Sequence, residues 1–213
     1  MEKLYIMIES FFYNKITYFY FIISYLIGSI PVGYILYKYI KKDDIRKYGS
    51  GNIGATNVNR LLGKKFGIAT LFFDSFKTFL VTLIAYRLLG IDYAVYCGAI
   101  SLVGHIFPIW LNFKGGKGVA CYIGLLIVIS WPLAFIFLII WMLTVKFLKY
   151  SALGAIISII INLLLFKIIL YIQFNYNAIL FIPGNPTEFN IVLLISLLIL
   201  IKHKENIKNI IKM

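Results

Sequence analysis

The chain has 213 residues, 62% of them hydrophobic and 14% charged, with a mean hydropathy of +0.91. A soluble domain is about half apolar and about a quarter charged, so a single aqueous core is excluded and an integral membrane protein is indicated. The net charge of +13 would suggest nucleic acid in a soluble protein, but beside apolar spans its placement sets orientation instead.

Residues 1–13 mix Glu and Lys with apolar side chains and are expected along the outer interface. No cleavable signal peptide is evident, because the first apolar run passes into a Gly/Pro segment with large residues. Apolar runs follow at about 16–40, 66–89, 92–112, 118–148, 150–172 and 188–202. A span needs about 20 residues to cross roughly 30 Å of hydrocarbon. One straight helix over 118–148 would be about 46 Å long, too long even with tilt. The "SWP" ending at Pro132 predicts two short spans there, which makes seven.

Basic residues test that count. They crowd the 38–65 loop, Lys114 and Lys117, Lys146 and Lys149, and the tail from Lys202. With seven spans all four regions share one face, holding 16 of the 21 basic residues, a strong positive-inside signal. The expectation is one polytopic domain over 1–213: an all-α integral membrane protein with seven transmembrane helices, N-terminus outside and C-terminus cytoplasmic. Cys97 and Cys121 lie in apolar stretches and are read as small core residues. Trp110, Trp131 and Trp141 are read as interface anchors or packing residues. Asp74 and Lys77, three apart in the second span, are read as a structural pair.

The long polar segment contains "GSGNIGATN", in which Gly49, Gly51 and Gly54 form a literal G-x-G-x-x-G. A dinucleotide site needs a preceding strand and an acidic residue about 20 positions on. Asp74 has that spacing, but it sits in an apolar helix, and "YKYIKKDDIRKYG" is no buried strand. The nucleotide reading is rejected on context. What survives is glycine that lets backbone amides approach an anion, with Ser50, Asn52, Thr56 and Asn57 as short polar neighbours and Arg60 as a planar fork. A flexible solvated turn is the competing description.

A second glycine loop shifts that balance. Gly115, Gly116 and Gly118 interleave with Lys114 and Lys117 where the fourth span opens, a position that favours anions. "KYSALG" puts Ser151 at the cytoplasmic start of the sixth span, and "KHKENIKN" ends the seventh. His203 and Asn206, three apart, share a helix face if the helix persists. His105 has two open readings, a ligand contact or a helix-end or interhelical hydrogen bond.

"GSIPVGYIL", "GSGNIGATN", "GHIFPIWLNFKGGKGVA" and "HKENI" together resemble the bacterial acyl-phosphate:glycerol-3-phosphate acyltransferases, from about residue 24 to 212. The resemblance implies a seven-helix protein of the bacterial inner membrane with its active site facing the cytoplasm. It implies acyl transfer from acyl phosphate to the 1-hydroxyl of glycerol 3-phosphate, giving lysophosphatidic acid and phosphate in the first acylation of phospholipid synthesis. Ser50 and Arg60, with His203 and Asn206, are the catalytic residues so implied. Gly49, Gly51, Asn52, Gly54, Asn57, His105, Lys114, Gly115, Gly116, Lys117, Gly118, Ser151 and Glu205 are the implied substrate-binding residues, with His105 to Gly118 on the glycerol phosphate side. Lys202 and Lys204 stand where arginine is common in the family, and Asn209 where a basic residue is common. The expected partners are the two substrates and membrane lipid, with no cofactor, metal, nucleic acid or obligate protein partner.

The chemistry fits these residues. Acyl phosphate is already activated, so the protein chiefly has to orient a hydroxyl and offset charge on the carbonyl oxygen and the leaving phosphate. For the proton, His203 has a suitable intrinsic pKa, and a substrate phosphate oxygen is the alternative. No Ser-His-Asp triad can be assembled. The rival from another class is an anion transporter with a basic vestibule, which would be expected to carry inverted repeats; none is visible.

Overall fold

The structure, a computed structural model, describes residues 15–211; the segment 1–13 expected at the interface lies outside them. No strand occurs among the described residues. Helices α1 (Lys15–Gly28) and α2 (Val32–Lys41) form one apolar unit, broken where Pro31 offers no amide proton to the helix. A 3₁₀ turn (Ile45–Lys47), α3 (Ala55–Leu62), α4 (Lys64–Leu89) and α5 (Ile91–Ile106) follow. After a second 3₁₀ turn (Ile109–Leu111) come α6 (Val119–Ile129), α7 (Trp131–Leu148), α8 (Ser151–Tyr176), α9 (Pro186–Lys202) and α10 (Lys204–Ile211).

Five units among the described residues have the length and hydropathy to cross a membrane: Lys15–Lys41, Lys64–Leu89, Ile91–Leu111, Trp131–Leu148 and Ser151–Tyr176. The 118–148 run does divide, at Ser130, with Pro132 in the first turn of α7, where a missing amide costs nothing. Helix α6 has only 11 residues, about 16 Å by the helical rise. Seven of those residues are buried, and α6 packs against α4, α5 and α7. It is the centre of the bundle.

Small residues allow that packing. A Cβ on Gly124 of α6 would run into the backbone of Ser75 in α4, and one on Gly28 of α1 into the backbone of Ser101 in α5. Between membrane helices, where lipid supplies no hydrophobic drive, such close backbone approach is the principal means of association. Polar ties add to it: Asn162 Nδ2 donates to Leu133 O at 2.8 Å, holding α8 to the start of α7. Asn185 and Glu188 form a capping box that starts α9. Large apolar side chains point outward, among them Phe19, Phe72, Phe73, Leu164 and Ile168. In water that surface would be an aggregation site; against hydrocarbon it is the expected face.

Trp110 and Trp131 are exposed, while Trp141 packs against Gly154. Cys97 and Cys121 are both buried and free. A second, smaller core lies beneath the polar loops: Tyr37, Ile45, Ile53, Val58 and Leu111. It brings the first glycine loop and the start of the second onto one support, so neither is a floating turn.

Candidate active site

What precedes the first glycine loop is the 3₁₀ turn Ile45–Lys47, not a strand, as the rejected nucleotide reading requires. Asp44 caps that turn and holds Arg46 through three side-chain hydrogen bonds of 2.6–3.0 Å. The Arg46 guanidinium, with smaller effects of its amide and Lys47, holds the Asp44 carboxyl below the usual range. Asp43 is held low likewise by Lys47 and Tyr48. Both acids are therefore committed ion-pair partners, poorly suited to accept a substrate proton.

Asn57, only 1% exposed, organises the loop. Its Oδ1 accepts from Ser50 N at 2.9 Å and from Arg60 Nη1 at 3.2 Å. Its Nδ2 donates to Tyr48 O and Asn52 O at 3.1 and 2.8 Å. Both donors and the acceptor of the amide are thus used, and Asn57 acts as a staple across the loop. The staple also explains Gly49: its φ is +61°, and a Cβ there would meet Asn57 Oδ1. Gly51 has φ +68° and donates to Tyr48 O, while Gly54 donates to Asn52 Oδ1. The loop leaves Ser50 and Arg60 exposed on its outer side.

In the second loop, the amides of Gly115 and Gly116 donate to Ile106 O and His105 O at 3.2 and 3.1 Å. They are engaged within the chain, so these two glycines serve close packing, and the loop's charge is carried by its two lysines. Lys114 is exposed and Lys117 half-buried. Burial pushes the Lys117 ammonium below its ordinary pKa. Gly118 has φ +89°, turning the chain into α6. His105 is 3% exposed, with Nδ1 3.1 Å from Lys77 Nζ; of its two open readings, the interhelical hydrogen bond is the one found.

Contacts between distant segments join these pieces. Arg46 Nη1 donates to Leu111 O at 3.2 Å, linking the first loop to the second. Thr56 Oγ1 and Ser151 Oγ are 3.1 Å apart, linking the first loop to the start of α8. Lys117 Nζ donates to Asn206 Oδ1, linking the second loop to the tail, and Lys202 lies over the Phe107 ring at 4.2 Å. His203, 2% exposed, places Nδ1 2.8 Å from Ile199 O. A carbonyl only accepts, so Nδ1 carries a proton and Nε2 is the acceptor of the neutral ring. Burial holds its pKa below the ordinary value, with the Lys117 charge acting the same way and the Ile199 bond opposing. Glu205 is exposed and lies 3.6 Å from Lys208.

So Ser50, Arg60, Ser151, Lys117, Asn206 and His203 belong to segments tied to one another. The Arg46–Leu111 and Thr56–Ser151 bridges were not legible in the sequence, since each joins segments more than 60 residues apart with no local signal.

A sequence model described as "Glycerol-3-phosphate acyltransferase" matches residues 18–213. A glycerol-3-phosphate acyltransferase of Ehrlichia canis is 42% identical over 192 residues, 90% of this chain and 93% of that protein. One of Brucella anthropi is 40% identical over 187 residues, 87% of this chain and 85% of that protein. Among solved structures, an integral membrane glycerol 3-phosphate acyltransferase in its glycerol 3-phosphate form superposes with a TM-score of 0.81 at 34% identity, covering 92% of each chain. The lysophosphatidic acid form of that enzyme gives 0.76 at 34% identity with the same coverage.

Proposed function

The chain belongs to the glycerol-3-phosphate acyltransferase family, and we propose that it moves a fatty acyl group from acyl phosphate to the 1-hydroxyl of glycerol 3-phosphate on the cytoplasmic face of the bacterial cell membrane. The hydroxyl oxygen attacks the acyl carbon, the acyl carbon–phosphate oxygen bond breaks, and inorganic phosphate leaves. The hydroxyl proton passes to the departing phosphate oxygen or to His203 Nε2. The product is 1-acyl-glycerol 3-phosphate.

The observation that carries this reading is the joining of two basic, glycine-bearing loops with the α8 start and the tail through Arg46–Leu111, Thr56–Ser151 and Lys117–Asn206. A reaction between two phosphate-bearing substrates needs two anion sites side by side. In the proposed assignment Ser50 and Arg60 face the acyl phosphate, where an exposed guanidinium fork matches phosphate oxygens. Lys114, Lys117, Ser151 and Asn206 face glycerol 3-phosphate. Asn57 and the loop glycines shape the first cradle.

The proposed topology has seven spans, with the short α6 and α9 completing the count, the N-terminus outside, and the four basic regions inside. It rests on the distribution of Lys and Arg and on α6 being enclosed by longer helices. The discriminating experiment compares donors at saturating glycerol 3-phosphate: palmitoyl phosphate is expected to support turnover, and palmitoyl-CoA or palmitoyl-acyl carrier protein is not. Turnover with either thioester and none with palmitoyl phosphate would overturn the donor assignment.

A further inference from the structure

Lys77 lies halfway along α4 and is 7% exposed. Its ammonium has three acceptors: Ile30 O at 2.7 Å, Asp74 Oδ1 at 2.8 Å and His105 Nδ1 at 3.1 Å. An ammonium has three protons and no lone pair, so each bond is a donation from lysine. The same His105 Nδ1 lies 3.4 Å from Asp74 Oδ1, so lysine and aspartate both hold that edge of the ring. One side chain thus ties the turn after α1, helix α4 and helix α5 together.

The far edge of the imidazole is the floor of the second glycine loop. A Cβ on Gly116 would meet His105 Nε2, and a Cβ on Gly115 would meet the His105 carbonyl. Gly116 also donates its amide to that carbonyl. Lys117 follows directly. The position of its ammonium therefore depends on where the His105 ring stands, and the ring is held by Lys77 and Asp74.

Stability alone is a weak reason for such a set. Ionisable groups inside a span are costly, and apolar side chains of equal volume commonly hold a protein interior as well as a buried ion pair does. What an apolar set cannot do is fix an imidazole in one orientation. We propose that Asp74, Lys77 and His105 form a positioning network that sets the second glycine loop, and with it Lys117, for glycerol 3-phosphate. None of the three touches substrate. The inference rests on the reading of this loop as the glycerol phosphate side.

The test uses the full chain in lipid or detergent, with palmitoyl phosphate and glycerol 3-phosphate varied separately. His105→Ala and Lys77→Met should each raise KM for glycerol 3-phosphate roughly 10-fold while KM for palmitoyl phosphate stays within about 2-fold. His105→Asn, which places an amide oxygen near the Nδ1 position, should recover most of the loss. Gly116→Ala should raise the same KM. The double variant His105→Ala/Gly116→Ala should be no worse than His105→Ala, because the atom met by the new Cβ is gone.

Losses in melting temperature with both KM values unchanged would overturn the proposal, as would additive effects in the double variant. Lys117→Ala separates the two levels. If it raises KM for glycerol 3-phosphate and His105→Ala does not, the network fails and the cradle stands. If Lys117→Ala leaves that KM unchanged, the cradle reading fails and the network proposal falls with it.

Discussion

The side-chain oxygen of Asn57 sits 2.9 Å from the backbone nitrogen of Ser50 and accepts its proton. The two are seven positions apart in the chain, so the bond closes the first glycine loop onto the helix that follows it. Ser50 is presented to solvent by a buried amide, and what looks like a flexible glycine turn in the sequence is a folded platform.

The staple makes a stability prediction. Asn57→Ala removes four hydrogen bonds and strands polar groups of a part-buried loop, each costing about 1–3 kcal/mol when buried without a partner. The melting temperature in detergent should fall and activity should be lost. Asn57→Asp keeps the acceptor and loses the two donations, so it should fall between. Gly49→Ala should behave like Asn57→Ala, because its Cβ meets the Asn57 oxygen, whereas at Gly63 (φ +93°) a Cβ has nothing within 4 Å and the cost is backbone strain alone.

Ser50 and Arg60 differ from Asn57 in being exposed. Ser50→Ala and Arg60→Ala should leave the melting temperature close to wild type and lower turnover by about 10²–10³-fold, the scale set by loss of a donor to a developing charge. Arg60→Lys keeps the charge and loses the fork, and should recover little. Wild-type kcat in Ser50→Ala or Arg60→Ala would refute the assignment of the first loop.

His203 predicts a pH dependence. Its pKa in the folded protein is below the ordinary value, chiefly through burial. The folded state therefore binds fewer protons than the unfolded state in the window beneath about 6.5. Its stability contribution is complete above that value and is lost as pH falls through the window. Between about pH 7.5 and 5.5 the melting temperature of wild type should lose more, or gain less, than that of His203→Asn, which keeps a donor for Ile199 O. Equal slopes would show that His203 is not the acid-sensitive group.

Orientation is open to labelling, since both native cysteines are buried. A membrane-impermeant maleimide should label Asn175→Cys in intact cells and Lys65→Cys only after permeabilisation. The reverse pattern would invert the proposed topology.

Much of this architecture was legible in the sequence because membrane spans are written in composition. The break near Pro132 and the apolar runs depend on local physics, and both appear in the structure. The two glycine loops were legible as glycine-rich, basic segments for the same reason. Their internal use was not: Gly115 and Gly116 look like free donors in sequence, but their amides are taken by carbonyls of the preceding helix. The Asp74–Lys77 pair was visible as an i,i+3 spacing. The third member, His105, lies 28 residues beyond Lys77, and only helix packing brings it there. Asn57 reads as one polar residue among several, and its burial is a tertiary fact.

In the proposed reaction, acyl transfer and phosphate release are one event at two adjoining anion sites. The most direct test follows phosphate and lysophosphatidic acid together, with purified protein and palmitoyl phosphate. One phosphate should appear for each lysophosphatidic acid, and none above background when glycerol 3-phosphate is left out. Phosphate release at the same rate without glycerol 3-phosphate, or lysophosphatidic acid formed without phosphate release, would contradict it.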